Sequence, residues 1–203
     1  MSDSGMQEMD RWDQVAVPPT TVSVYEALYR RRQVESFRNQ PVPYPALERV
    51  LATAVWAPNH RMTEPWRFVV MEQDSPLRRS MGNLAFDQTL KELGDEAKAE
   101  NYRKRILSPP VVIYVFSVPG PNDFVTKENY ASVCRAIQNM SLAAVAEGFG
   151  ISWETGRVSR LPGLHDVLGV DTSWSVVSML SLGYPEDTLV TRRTPTSQFV
   201  FRG

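Results

Sequence analysis

The sequence predicts an α+β domain in which helices cover a small mixed sheet. Segments with apolar residues at helical spacing alternate along the chain with short runs rich in β-branched and aromatic residues. The run at 111–117 is apolar at nearly every position, which is typical of a central strand covered on both faces. A sheet packed between helices in layers is therefore the expected architecture.

The first part of the chain is predicted to hold two helices and then a strand. One helix is expected at 22–32, with Val24, Tyr25 and Leu28 facing inward. A second is expected at 45–56, because Pro45 suits a first helical turn and apolar residues follow at helical spacing. Trp66 opens the first strand, at 66–71.

The rest of the chain continues the alternation. Residues 76–107 are charge-rich and helical, with breaks expected at Gly82 and Gly94. The remaining predicted elements are the strand at 111–117, a long apolar helix at 128–147, a strand and turn at 151–156, a short helix at 164–168 and a strand at 175–184. Residues 1–19 form a polar tail, and 20–203 form one domain.

Composition excludes several classes of protein. A formal net charge of -1 argues against a general nucleic-acid binder. The longest apolar run, 111–118, is too short to cross a bilayer, and the N-terminus lacks a signal-peptide pattern. The single cysteine, Cys134, excludes an internal disulfide framework and fits a cytoplasmic protein. We expect Cys134 to be an inert core thiol, His165 a surface residue, and no metal site, because no Cys/His cluster has ligand spacing.

Three consecutive arginines, at 30–32, end the first predicted helix. Cations are favoured at a helix C-terminus, so the cluster is consistent with a solvated basic end. Guanidinium groups also form bidentate hydrogen bonds to phosphate, so a phosphate clamp is the second interpretation of the cluster. The residues alone leave both interpretations open.

A polar, turn-forming stretch from Ala57 precedes the first strand and reaches it at Trp66. Loops held between rigid elements in this way commonly bind ligands, although a plain surface turn would have the same composition. Trp66 itself is expected to pack in the core.

Four segments in order resemble the nitroreductase family of FMN-dependent flavoproteins, over roughly residues 21 to 203. They are Arg-Arg-Gln-Val-Glu-Ser-Phe at 31–37 with Pro-Val at 41–42, Ala-Pro-Asn-His at 57–60 with Glu-Pro-Trp at 64–66, Gly-Phe-Gly-Ile-Ser-Trp-Glu-Thr-Gly at 148–156, and Leu-Gly-Tyr-Pro with Arg-Arg-Thr-Pro at 182–195. The resemblance is to the small single-domain members, and it implies a mostly antiparallel sheet and an obligate homodimer with FMN at the subunit interface.

The resemblance also implies which residues bind FMN. Its phosphate, ribityl chain and pyrimidine edge are assigned to Arg31, Arg32, Gln33 and Arg193. The loop residues Asn59, His60 and Met62 are expected to reach the flavin of the partner subunit, with His60 the best candidate contact. The segment Trp153, Glu154, Thr155 and Gly156 is expected beside the ring, with Thr155 or a backbone N–H as the donor to flavin N5. A plain turn at 153–156 fits those residues as well.

Three residues depart from the family pattern. Gln33 replaces a usual serine but keeps a donor and an acceptor. Glu35 replaces a usual base, and a carboxylate there would disfavour negative charge on the reduced flavin. Either Glu35 points away, another cation compensates, or the flavin potential is low. Glu64 stands where the family has Gln.

The implied function is that of an FMN-dependent oxidoreductase. NADH or NADPH would pass hydride to flavin N5, and a small acceptor such as a nitroaromatic or quinone would then take the electrons in a ping-pong sequence. Two alternatives stay open: a flavin sensor or storage protein that does not turn over NAD(P)H, and a related flavin enzyme such as a dehalogenase, flavin destructase or dehydrogenase. Residues 82–105 are the candidate substrate lid.

Overall fold

The computed structural model describes residues 20–187 and 190–203, so the predicted tail at 1–19 lies outside the described residues. The helices are α1 (Val24–Arg30), α2 (Tyr44–Ala52), α3 (Pro76–Leu93), α4 (Glu96–Leu107), α5 (Asp123–Ala146) and α6 (Leu164–Leu168). The strands are β1 (Trp66–Glu72), β2 (Val111–Ser117), β3 (Gly150–Ile151) and β4 (Ser175–Gly183). The predicted α+β class is confirmed.

The four strands form one sheet in the order β1-β2-β4-β3, with antiparallel pairing between all neighbours. Trp66 pairs with Ser117 at one end of β1, and Glu72 pairs with Val111 at the other. One parallel bridge, between Gln33 and Ile151, adds the segment after α1 to the edge at β3. The predicted central position of the apolar strand is therefore correct.

Side chains alternate across β2 and divide the core into two layers, as the pleat of a strand requires. Ile113 and Val115 pack on the face covered by α2 and α5, in a cluster that includes Trp66. Tyr114 and Phe116 pack on the face covered by α3, α4 and α6. Burial of both faces explains why β2 has almost no polar residue.

Helix α1 differs from its prediction in length and in burial. It spans seven residues, and its large apolar side chains are exposed in the single chain: Val24 by 71%, Tyr25 by 72% and Leu28 by 44%. The prediction that these three residues face inward is wrong for one copy of the chain. The three residues do share one helix face, but no other described residue of the chain covers that face.

Gly82 does not break the helical region, whereas Gly94 does. Helix α3 continues through Gly82, and a Cβ there would lie 2.9 Å from Leu107 of α4, so the glycine permits close packing of the two helices. Gly94 adopts φ 62° and ends α3 in the left-handed conformation that favours glycine. Asp95 then caps α4, because its carboxylate accepts the Lys98 backbone N–H at 3.0 Å.

Helix α5 begins at Asp123, five residues before the predicted start at 128. The Asn122 side chain accepts the Val125 backbone N–H at 3.0 Å, a cap that a Pro-Gly-Pro-Asn loop conceals in the sequence. Cys134 on this helix is half-buried, and burial raises the pKa of its thiol.

The prediction that His165 is a surface residue is wrong. Its side chain is half-buried close to Phe116, and its Nε2 lies 2.8 Å from the Trp174 carbonyl oxygen.

Arg78 of α3 is fully buried and holds the two helices to the sheet. Its guanidinium donates to the carbonyl oxygens of Ile106, Pro109 and Pro110, at the end of α4 and the start of β2. Burial lowers the pKa of Arg78 to about 10.

No helix in the described part of the chain is long and apolar enough to span a membrane.

Candidate functional site

The arginine cluster brings together two segments that are distant in sequence. Arg31 follows the last residue of α1, and burial lowers the pKa of its guanidinium. The charges of Arg193 and Arg32 lower that pKa further, so the three cations share one region. Among the described residues, no carboxylate forms an ion pair with any of the three. Such a cluster favours binding of an anion, because a bound negative charge offsets the repulsion between the three guanidinium groups.

A cavity of about 270 Å³ lies beside this cluster. Arg32 lines it, together with Val34, Phe149, Gly150 and the acidic residue Asp187. The Arg32 Nη1 group donates to the Tyr29 carbonyl oxygen at 2.5 Å, whereas its Nε atom is buried without a partner among the described residues. A buried guanidinium N–H with no acceptor is costly, so this atom is a candidate ligand donor.

Gln33 and Trp153, both predicted near the flavin, are in contact. The Trp153 backbone N–H donates to Gln33 Oε1 at 3.0 Å. Val34 packs so closely on Gly150 that a Cβ at Gly150 would lie 2.5 Å from the valine. The segment after α1 is thus fixed against β3 and the residues that follow it.

A polar groove of about 600 Å³ continues from Gln33. Glu35 lines the groove together with Asn101 and Lys104 of α4 and with Glu154. Arg105 of α4 also lines it and donates to Glu154 Oε2 at 3.0 Å. The groove therefore combines carboxylates and cations within reach of one polar ligand.

The remaining residues predicted beside the ring lie at the margin of this region. Thr155 and Gly156 are exposed and do not line the groove. A Cβ at Gly156 would meet nothing within 4 Å, so packing within the chain does not require a glycine there. Glu64 is also exposed, at the end of the loop before β1.

That loop adopts a strained conformation. Arg61, Met62 and Glu64 have positive φ values of 62°, 51° and 44°, which side-chain-bearing residues rarely adopt. His60 Nδ1 lies 2.8 Å from Glu128 Oε1, and the Thr63 hydroxyl donates to Asn129 Oδ1 at 2.7 Å. Two neighbouring residues of α5 thus hold the loop in place.

Asn59 and Met62 complete the predicted loop set. The Asn59 side chain lies 3.0 Å from the Thr63 hydroxyl, so its contact is within the loop. Met62 is 74% exposed in the single chain. Its side chain is therefore free of the core of its own subunit.

The loop and the arginine cluster lie at opposite ends of α5. Glu128, which contacts His60, is separated by about 26 Å of helix from Val145, which lines the cavity beside Arg32. The same separation holds across the sheet, since Asn129 donates to the Val118 carbonyl oxygen just after β2 whereas Pro109, which lines the groove, precedes it. One copy of the chain does not bring the two sets of residues together.

Asn101, Lys104 and Arg105 are among the groove residues that the sequence did not identify. Asn101 and Lys104 are three positions apart and therefore share one face of α4. That spacing was a usable signal, but it is common on charged helices. Only the contact between α4 and Glu154 assigns this face to the site.

Comparison with known proteins agrees with the sequence resemblance. The model of the Nitroreductase family matches residues 28–184. A Bacillus subtilis protein named "Putative NAD(P)H nitroreductase YfhC" is 29% identical over 81% of this chain and 86% of its own length. The 5,6-dimethylbenzimidazole synthase of Rhodospirillum rubrum is 28% identical over 80% of this chain and 82% of its own length.

Solved structures show the same fold. A nitroreductase-like family protein from Bacillus cereus superposes with a TM-score of 0.81 at 26% identity, covering 92% of this chain and 98% of the other. A Desulfovibrio desulfuricans nitroreductase homologue, solved in complex with FMN, superposes with a TM-score of 0.71 at 23% identity, covering 89% and 96%. The family match spans most of the described chain and includes both sides of the groove, so the chain belongs to the Nitroreductase family.

Proposed function

We propose that the protein is an FMN-dependent oxidoreductase that takes electrons from NADH or NADPH and passes them to a small acceptor such as a nitroaromatic or a quinone. The observation that carries this proposal is the clustering of Arg31, Arg32 and Arg193 without a carboxylate partner among the described residues. A phosphate group is an anion that guanidinium groups bind through paired hydrogen bonds.

The residues present fit FMN in chemistry as well as in charge. Arg31 and Arg193 would bind its phosphate, and the buried Nε of Arg32 would gain the acceptor that it lacks. The polar groove from Gln33 to Glu154 would bind the rest of the molecule. When bound, FMN supplies the two-electron redox chemistry, and the chain supplies binding and orientation.

Lys104 provides the compensating cation that Glu35 makes necessary. Both line the same groove, and Arg105 beside them is paired with Glu154. A positive charge in a groove favours electron density on a bound ring, whereas Glu35 opposes it. Of the three explanations for Glu35, compensation by a cation is the one supported by the residues lining the groove.

We further propose that the site is completed by a second copy of the chain. Arg32 and His60 are separated by most of the length of α5, so both act on one cofactor only if they come from different subunits. The exposed apolar face of α1, with Val24, Tyr25 and Leu28, is consistent with burial against another copy.

Hybrid dimers test this arrangement. Arg31→Ala and His60→Ala chains, each defective alone, are unfolded together and refolded as a mixture. A site shared between subunits restores one intact site in every hybrid, so turnover of a quinone acceptor rises above that of either variant. A site within one chain leaves every copy defective, and the mixture then performs no better than the average of its parents.

Other chemistry exists in the family, as the relative named 5,6-dimethylbenzimidazole synthase indicates. A panel of quinones, nitroaromatics and halogenated phenols with the FMN-loaded protein discriminates between acceptor classes. A bound flavin that neither NADH nor NADPH bleaches, with no turnover of any acceptor, would instead support the sensor or storage alternative.

A further inference from the structure

Glu128 lies outside the four segments that resemble the family, and it lines neither the cavity nor the groove. It nevertheless contacts His60 of the loop before β1. His60 Nδ1 lies 2.8 Å from Glu128 Oε1, while 58% of the His60 side chain remains exposed. The ring therefore has one nitrogen held by a carboxylate and the other directed away from it.

The surroundings of this pair differ from those of an ordinary surface ion pair. Only 28% of the Glu128 side chain is exposed, and its Oε2 atom is buried with no hydrogen-bond partner among the described residues. The loop beside it accepts three positive φ values in four residues. Backbone strain of this kind persists where the neighbouring structure enforces it, and it concentrates at functional sites.

A carboxylate on Nδ1 has a defined chemical effect on imidazole. It fixes the neutral ring as the Nδ1–H tautomer, which leaves Nε2 as the nitrogen that exchanges a proton. Arg61 and Glu64 are the other charged residues of the loop, and neither forms an ion pair with His60 among the described residues. Glu128 is thus the charged group that acts directly on the ring.

We propose that Glu128 positions His60 as the proton donor for acceptor reduction in the partner subunit's site. This inference rests on the proposed function and adds to it the source of the second proton. A quinone needs two electrons and two protons to become a quinol. Reduced FMN, when bound, would supply both electrons and one proton as a hydride equivalent. The His60 Nε2–H bond breaks as an O–H bond forms on the acceptor, and the neutral ring keeps its Nδ1–H on Glu128 until solvent reprotonates Nε2.

Ring-nitrogen NMR tests the pair directly. The chain has two histidines, so the His60→Gln variant assigns the signals of the FMN-loaded, ¹⁵N-labelled protein by difference. At a pH where the ring is neutral, we expect the Nδ1–H tautomer in the native protein. In Glu128→Gln we expect a shift towards the Nε2–H tautomer that free histidine prefers. The same tautomer in both proteins would overturn the proposal.

Half-reaction kinetics test the proton transfer. With 1,4-benzoquinone as acceptor, we expect flavin reoxidation to slow by about a hundredfold in His60→Gln and by about tenfold in Glu128→Gln. Flavin reduction by NADH should change by less than about twofold. Ferricyanide takes single electrons without protons, so its rate should be unchanged in both variants.

The controls distinguish failure of this inference from failure of the proposed function on which it rests. Glu64→Gln removes a carboxylate from the same loop without touching His60, and it should leave the benzoquinone rate unchanged. Equal benzoquinone and ferricyanide effects would indicate a merely structural role for Glu128 and overturn the proposal, while the proposed function would stand. A chain that binds no FMN would overturn the proposed function itself.

Discussion

The Trp153 backbone N–H donates to Gln33 Oε1 at 3.0 Å, and this bond joins two segments separated by more than half of the chain. Gln33 stands where the family usually has serine. Its longer side chain reaches the backbone after β3 and accepts one hydrogen bond there, so its amide N–H groups and one acceptor lone pair remain for a ligand. The two sides of the candidate flavin groove are thereby fixed relative to each other before any cofactor binds.

Loss of the phosphate clamp should weaken FMN binding. We expect Arg31→Ala and Arg193→Ala each to raise the FMN dissociation constant about 10- to 100-fold, because charge-assisted hydrogen bonds contribute roughly 1.5–3 kcal/mol. Fluorescence quenching of FMN by the apoprotein measures the constant. Arg38→Ala removes an exposed arginine of the same segment that lines neither cavity, and it should bind FMN normally. Equal losses in all three variants would argue against a specific clamp.

The groove charges should set the potential of the bound flavin in opposite directions. Glu35→Gln removes a negative charge and should raise the midpoint potential, whereas Lys104→Gln should lower it, each by roughly 30 mV, or about 1.4 kcal/mol for a two-electron couple. Anaerobic dye-equilibrated titration measures both. Lys98→Gln, on the same helix and paired with Asp95, is the matched control. A potential that does not respond to Glu35 or Lys104 would remove both from the flavin environment.

Gly150 should be intolerant of a side chain. A Cβ there would lie 2.5 Å from Val34, so Gly150→Ala should push the 31–35 segment away and cost about 1–3 kcal/mol of unfolding free energy, with loss of FMN affinity. Val34→Ala in the same protein should recover part of both. Urea unfolding and FMN titration provide the two readouts, and strict additivity of the two substitutions would contradict the close contact.

Much of this fold was predictable because local signals and tertiary contacts agree. The apolar run of β2 and the glycine that ends α3 at position 94 are such signals. The predicted break at Gly82 was wrong because a glycine within a helix is consistent either with a break or with close packing of a neighbour. The contact with Leu107 of the next helix, which the sequence does not reveal, distinguishes the two. The predicted burial of the α1 face was wrong for a single chain. Periodicity identifies an apolar helix face, but it does not indicate whether the same chain or another copy covers that face.

The candidate site was predictable only where a motif is continuous in sequence. Arg31, Gln33 and Trp153 lie in such motifs, and the structure brings their segments together. Lys104 and Glu128 carry no motif, since a lysine or a glutamate on a charged helix is ordinary. Their relevance comes from tertiary structure, because Lys104 lines the same groove as Glu35 and Glu128 contacts His60.

Arg78 should be a stability residue without a role in redox chemistry. We expect Arg78→Met to cost about 2–4 kcal/mol of unfolding free energy, because it leaves buried carbonyl oxygens of Ile106, Pro109 and Pro110 without donors. Arg79→Ala, at the exposed neighbouring position, should change it by less than about 0.5 kcal/mol. Urea denaturation of both variants measures the two free energies of unfolding. Equal values would contradict the structural role of Arg78.

The central claim is tested most directly by the visible spectrum of the purified protein, recorded without oxygen before and after addition of NADH or NADPH. The account predicts a yellow protein with flavin absorbance that either nucleotide bleaches. A colourless protein that takes up no added FMN would contradict the account from the arginine cluster onward. A yellow protein that neither nucleotide bleaches would contradict the enzymatic function and leave the flavin site standing.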